Sequence, residues 1–236
     1  MPSPGRFRVL LLDFFGTLVD YDPSRVPTTT PTTETFCREH GIEVSADAAV
    51  ATWDAAFGDL DAETAVSMRE YSMAEVGRVA FRTLLGREPA EALAVAGAEA
   101  YLDDWGRGIL AIEGMGEALD RLGSDARLVI VSNTHASDLV QRTLRGLGVD
   151  GLVDAVVTSL DVGWRKPHPA IYEAALAAAG VDRSECLFVG DSKTNDYDGP
   201  RAAGIASMLV APSSVVGVPD AHRIGSLVDL PGRVAV

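Results

Sequence analysis

Five side chains in this sequence are of types that can act together on an anionic substrate: Asp13, Ser132, Lys166, Asp191 and Asp196. Taken singly, each has a plain explanation. An aspartate after an apolar run can cap a turn, a serine can cap a helix, and a lysine ahead of a proline is usually solvated. Taken together they supply three carboxylates, one hydroxyl and one ammonium, and carboxylates held close without compensation repel strongly. A divalent cation and the lysine resolve that conflict. An all-oxygen donor set in an open, partly hydrated site favours Mg²⁺ over zinc, which more usually recruits His or Cys. The 4 histidines, His40, His135, His168 and His222, show no tight metal-binding pattern.

In an open parallel sheet the ligand site lies outside the carboxyl ends of the strands, so the apolar runs ahead of these residues are the elements that must position them. Residues 9–12 form a continuous apolar run between charge and Gly16, which suits a strand covered on both faces. Similar runs recur at 128–131, 153–157, 187–189 and 205–210. Helix-like patterns lie between them at 115–122, 137–147, 169–179 and 196–203, several ending at or near a glycine. This alternation predicts an α/β fold with a doubly wound, Rossmann-like parallel sheet.

Residues 22–112 read differently. A Pro/Thr-rich lead-in over 26–33 is followed by alanine-rich helical patterns at 46–57, 64–85 and 90–105, with Gly41, Gly86 and Gly106 at their ends and no convincing strand. The expected division places residues 1–21 and 113–236 in a core domain and 22–112 in a helical insert. Trp53, Phe57, Phe81 and Trp105 are expected in the core of that insert. Arg69, Glu70, Tyr71 and Ser72 form a polar cluster read as a solvated helix turn, with Arg69 kept as a candidate substrate contact.

Bulk properties narrow the partners. The net charge of -14, from 34 acidic against 20 basic side chains, leaves no basic surface to displace counterions, which argues against nucleic acid. The apolar run near the start is too short for a signal-peptide core or a membrane span. Cys37 and Cys186, the only 2 cysteines, lack the spacing of a metal site and the density of a disulfide scaffold, so reduced thiols and a cytoplasmic setting are expected. Oligomeric state is not legible.

The order and spacing of the chemical residues resemble the haloacid dehalogenase superfamily. The match is carried by DFFGTL from Asp13, LVIVSN ending at Asn133, WRKPHPAIY around Lys166, and FVGDSKTND ending at Asp196. Four ordered motifs on suitable elements are far more specific than any one short pattern. The resemblance implies that the helical insert is a type-one cap and that Asp13 is a nucleophile forming a covalent aspartyl intermediate. It implies Mg²⁺ held by Asp13, Asp191, Asp196 and the Phe15 carbonyl. Ser132 and the Asn133 amide, beside Gly16, would hold a phosphoryl oxygen, and Lys166 would balance charge in the transition state.

One position departs from the pattern. Most phosphatases of this superfamily carry a second aspartate two residues after the nucleophile as general acid and base, where this chain has Phe15. A positioned proton donor contributes about 10²–10⁴-fold in rate. Members that cleave carbon–halogen bonds also lack this aspartate, which makes a 2-haloacid dehalogenase the rival reading. That branch resembles a metal-free design without the first acid of the fourth motif, whereas Asp191 is kept here. It also places an arginine early in the cap, where Thr52-Trp53-Asp54 has an acid. Phosphonoacetaldehyde hydrolysis needs a cap lysine, and Lys166 and Lys193 both lie in core motifs. A third reading is a catalytically reduced protein that only binds a metabolite. The expected function is a Mg²⁺-dependent phosphatase acting on a small phosphorylated metabolite, with no nucleic-acid or membrane partner.

Overall fold

The computed structural model describes residues 7–25 and 32–233. Six strands build the main sheet: β1 (Val9–Leu12), β4 (Arg127–Ser132), β5 (Ala155–Thr158), β6 (Cys186–Gly190), β7 (Ala206–Val210) and β8 (Arg223–Ile224). Their order is β5-β4-β1-β6-β7-β8, every pair parallel. The chain enters at the centre, builds outward through β4 and β5, then returns to the other side of β1. That reversal makes the tips of β1, β4 and β6 the switch point where an open α/β sheet binds its ligand.

The central strands β1, β4 and β6 are apolar runs buried on both faces, as crossover helices require, while the outer strands β5 and β8 are only partly buried. Val9, Leu10, Leu11 and Leu12 are all fully buried, each contributing about 1.5–3 kcal/mol. On one face Val9, Leu11, Val129, Val131 and Phe188 pack with Ile171, Tyr172, Ala175 and Ala179 of α8 (Pro169–Ala179). Helix α8 begins with proline, where a missing N–H costs nothing, and ends at Gly180 in the left-handed conformation. The flanking helices also include α5 (Met115–Gly123), α6 (Leu139–Leu147), the single turn α7 (Ser159–Val162) and the single turn α9 (Gly199–Ala202).

The chain divides into two compact units, Met1–Asp20 with Leu110–Val236, and Tyr21–Ile109. The second is helical: α1 (Thr32–Glu39), α2 (Ala46–Thr64), α3 (Met73–Leu85) and α4 (Glu91–Gly106). Most of the Pro/Thr-rich lead-in, 26–31, lies outside the described residues. Two short strands, β2 (Val19–Tyr21) and β3 (Ile109–Ala111), form a separate two-stranded sheet, so the stretch read as free of strands contains one. Trp53 and Phe81 are fully buried, and Trp53 stacks on Tyr101 at 4.6 Å.

Two local expectations are corrected. The helical pattern at 64–85 is broken: α2 ends at Thr64, Met68 takes a positive φ of 57°, and Ser72 starts α3. The cause is a reciprocal capping box, in which Ser72 accepts from the Glu75 amide and Glu75 accepts from the Ser72 amide. The polar cluster there is not a solvated turn either. Glu70 and Tyr71 are buried, and the Tyr71 hydroxyl donates to Asp61 at 2.9 Å. No helix among the described residues is long and apolar enough to cross a membrane.

Candidate active site

The tip of β1 delivers Asp13 by continuing the ladder one residue past the strand, its amide donating to Val189 of β6 at 2.9 Å. The chain then turns sharply at Gly16, whose φ of 82° suits glycine. A Cβ at that position would lie 2.4 Å from Asp191 Oδ2, so the glycine also clears space for the carboxylate that follows β6. Asp196 comes back to the same place through a π-helical turn, Lys193–Asp198, an irregularity frequent at functional sites. The Ser192 amide donates to Asp196 Oδ2 at 2.9 Å, and the Tyr172 hydroxyl donates to the Asn195 carbonyl, fixing that turn.

Oxygen atoms of Asp13, Asp191 and Asp196 all lie within 4.8 Å of one another. The Lys166 ammonium bridges Asp13 and Asp196, buried, with its three donors satisfied: Asp13 Oδ1 at 2.6 Å, Asp196 Oδ1 at 2.7 Å and the Val131 carbonyl at 2.9 Å. The Phe188 ring lies 5.3 Å from the same nitrogen. The second Asp13 oxygen accepts from the Thr17 hydroxyl at 3.2 Å.

Burial dominates the electrostatics. It raises the Asp13 carboxyl above its usual range, with Lys166 pulling the other way and Asp191 adding to the rise. Burial pushes Asp196 up to about 6, against the pull of Lys166. Asp191 opens to solvent, yet partial loss of water and the nearby Asp196 raise it as well. Burial works against the Lys166 charge, but Asp13 and Asp196 more than offset it, so its net shift is upward.

Three carboxylates against one ammonium leave surplus negative charge in a mostly buried place. That donor set fits a hard divalent cation: every candidate ligand is an oxygen, and the exposed Asp191 leaves one side accessible to water. Asp13, Asp191 and Asp196 would hold Mg²⁺ here.

The other expected site residues fall as follows. Ser132 ends β4 fully buried, its hydroxyl donating to the Asn133 carbonyl at 3.3 Å. The Asn133 side chain bonds the backbone of Lys166 at both its N–H and its carbonyl. Phe15 is half-buried, edge-on to Phe14, with its backbone bridged to Val19. Arg69 lies in the helical unit, where its guanidinium meets Glu75 at 3.0 Å, the Glu70 carbonyl at 3.1 Å and Glu63 at 3.6 Å. Thr17 and Tyr172 were not singled out by sequence. Thr17 carries a signal, four residues after the aspartate within DFFGTL, whereas Tyr172 reads only as an apolar position of α8.

The sheet is parallel and carries an acidic cluster at its switch point, the architecture of a Rossmann-like α/β core, and residues 7–204 match the family model for haloacid dehalogenase-like hydrolase. The chain belongs to that family. Among curated proteins it is 36% identical over 110 residues to haloacid dehalogenase-like hydrolase domain-containing protein 3 of Homo sapiens, covering 44% of this chain and 43% of that one. It is 33% identical over 106 residues to a phosphoglycolate phosphatase of Colwellia psychrerythraea, covering 45% and 42%. These matches span less than half the length of those relatives. Similar solved structures include the magnesium-bound HAD-hydrolase YfnB of Bacillus subtilis, with TM-score 0.65 at 22% identity, covering 98% of this chain and 100% of that one. A 2-haloacid dehalogenase of Pseudomonas syringae has TM-score 0.75 at 21% identity, covering 96% and 97%.

Proposed function

We propose that this hydrolase is a Mg²⁺-dependent phosphatase that acts on a small phosphorylated metabolite through a phosphoryl-Asp13 intermediate. The observation that carries the reading is the gathering of Asp13, Asp191 and Asp196 oxygens within 4.8 Å, two of the three carboxylates bridged by a buried lysine. A dehalogenase needs the nucleophile but has no use for so much added negative charge near a departing halide. A phosphatase does, because a bound Mg²⁺ neutralises both the attacking carboxylate and the phosphoryl oxygens.

An Asp13 oxygen attacks phosphorus, the bond to the leaving oxygen breaks, and water later cleaves the acyl phosphate to regenerate the carboxylate. Thr17 and Lys166 orient the two carboxylate oxygens, and Lys166 offsets charge as it builds on the phosphoryl group. Ser132 and the Asn133 backbone at the tip of β4 receive a phosphoryl oxygen, and the Phe15 carbonyl would join Asp13, Asp191 and Asp196 in holding Mg²⁺. This reading assigns no role to Arg69, whose guanidinium is already engaged by Glu75 and Glu63.

The deciding experiment assays a panel of phosphoesters and 2-haloacids with Mg²⁺ and with EDTA, using the native protein and Asp13→Asn. Phosphate release that needs both Mg²⁺ and Asp13 is expected. Halide release that persists in EDTA, without phosphatase activity, would assign the dehalogenase reaction instead; no turnover of either class would leave a metabolite-binding protein.

A further inference from the structure

Lys166 is held at both ends, and the grip on its backbone comes from a single side chain. Its N–H donates to Asn133 Oδ1 at 2.7 Å, and Asn133 Nδ2 donates to its carbonyl at 3.2 Å. The two bonds close a ring between a carboxamide and a residue 33 positions away, fixing the place of the Lys166 backbone as well as its rotation. The surrounding stretch, 163–168, lies between α7 and α8 and belongs to neither; the His168 N–H closes a local turn onto the Arg165 carbonyl at 2.9 Å, but the bonds to the Lys166 peptide groups themselves come from Asn133. Asn133 by contrast follows directly on β4, a buried central strand, and is therefore the rigid partner.

We propose that Asn133 is a positioning residue for Lys166: its carboxamide sets the point from which the ammonium spans Asp13 Oδ1 and Asp196 Oδ1. Both side-chain donors and acceptors of an amide are directional, and asparagine is the shortest residue offering one of each to a peptide unit. Loss of the ring lets the backbone shift, and a displacement of about 1 Å at a reacting group can cost on the order of 10²-fold in rate. The Asn133 side chain thus acts through the lysine, and not by touching substrate.

The proposal rests on the reading of Lys166 given above, and a double-mutant cycle separates the two. Single-turnover cleavage of an aryl phosphate, with enzyme in excess and Mg²⁺ saturating, is measured for Asn133→Ala, Lys166→Ala and the double variant, with KM and thermal midpoint alongside. Asn133→Ala is expected to lower the rate roughly 10–100-fold with KM little changed, as loss of a supporting partner usually does. In the Lys166→Ala background the same change should cost nothing further. Asn133→Gln, which keeps the carboxamide but sets it one methylene too far, should fall in the same direction, and it serves if the alanine variant does not fold. Equal losses in both backgrounds, or a loss expressed as raised KM, would overturn the positioning role alone. A fully active Lys166→Ala would overturn both this role and the one assigned to Lys166.

Discussion

Gly190 and Asp196 approach so closely that a Cβ on the glycine would lie 2.5 Å from the aspartate carboxyl carbon and 2.6 Å from its Cβ. The carboxylate cannot swing away cheaply, because Lys166 and the Ser192 amide already hold its two oxygens.

Gly190→Ala should therefore act on the site although it changes no polar group. Overpacking of this kind costs about 1–3 kcal/mol, so the thermal midpoint should fall. Displacing Asp196 should also weaken Mg²⁺ binding and lower turnover by roughly 10-fold or more. Calorimetric Mg²⁺ titration checks it. An alanine variant that binds Mg²⁺ like the native protein would show that Asp196 tolerates displacement and lies outside the metal shell.

The carboxyl shifts predict how pH and metal interact. In the metal-free protein Asp13, Asp191 and Asp196 all have raised values, Asp196 at about 6. A carboxyl with a raised folded value stabilises the fold while protonated, below its unfolded pKa of about 4, and that contribution is lost as pH rises through the folded value. As pH rises from about 4 through the Asp196 value of about 6, that carboxylate becomes progressively more costly without a cation, and Asp13 and Asp191 add in the same direction. Mg²⁺ binds the ionised form and relieves that cost, so the rise in thermal midpoint on adding saturating Mg²⁺ should be small near pH 5 and larger near pH 7.5. Scanning calorimetry at the two pH values, with and without metal, is the check. A rise independent of pH would separate the metal from these carboxylates.

The skeleton of this site is legible because each strand is an apolar run that stops at a chemically distinctive residue. Residues 9–12 end before Asp13, 128–131 before Ser132, and 187–189 before Gly190 and Asp191, and the structure places strands over all three. Periodicity is less informative where the backbone departs from its regular forms. The helix-like pattern at 196–203 is a π-helical turn through Asp198 followed by the single turn α9, because i→i+5 bonding leaves no separate pattern in hydrophobicity. Asn133 was legible as a residue of the site, but its side-chain use was not. An asparagine after a strand commonly caps its own turn, and only tertiary geometry shows the carboxamide engaged with Lys166. Tyr172 is hidden for a similar reason, since an aromatic at helical spacing reads as core even when its hydroxyl ties down the Asp196 turn.

Phe15 yields the last prediction. It stands two residues after Asp13, half-buried and edge-on to Phe14, and offers no proton to a departing oxygen. A leaving group must then go as the free anion or take its proton from substrate or water. The cost of doing so grows with the pKa of the leaving alcohol, so simple alkyl phosphates should be the slowest substrates and aryl, acyl or anomeric phosphates the fastest. A plot of single-turnover rate against leaving-group pKa should fall steeply. Phe15→Asp should flatten that slope and improve alkyl phosphates selectively, by up to the roughly 10²–10⁴-fold that a general acid supplies. Because a new carboxylate beside Phe14 also risks burial without a partner, the variant is read together with its thermal midpoint. The native slope is the stricter measurement: a flat dependence on leaving-group pKa would show that another group delivers the proton and that Phe15 does not set the substrate range.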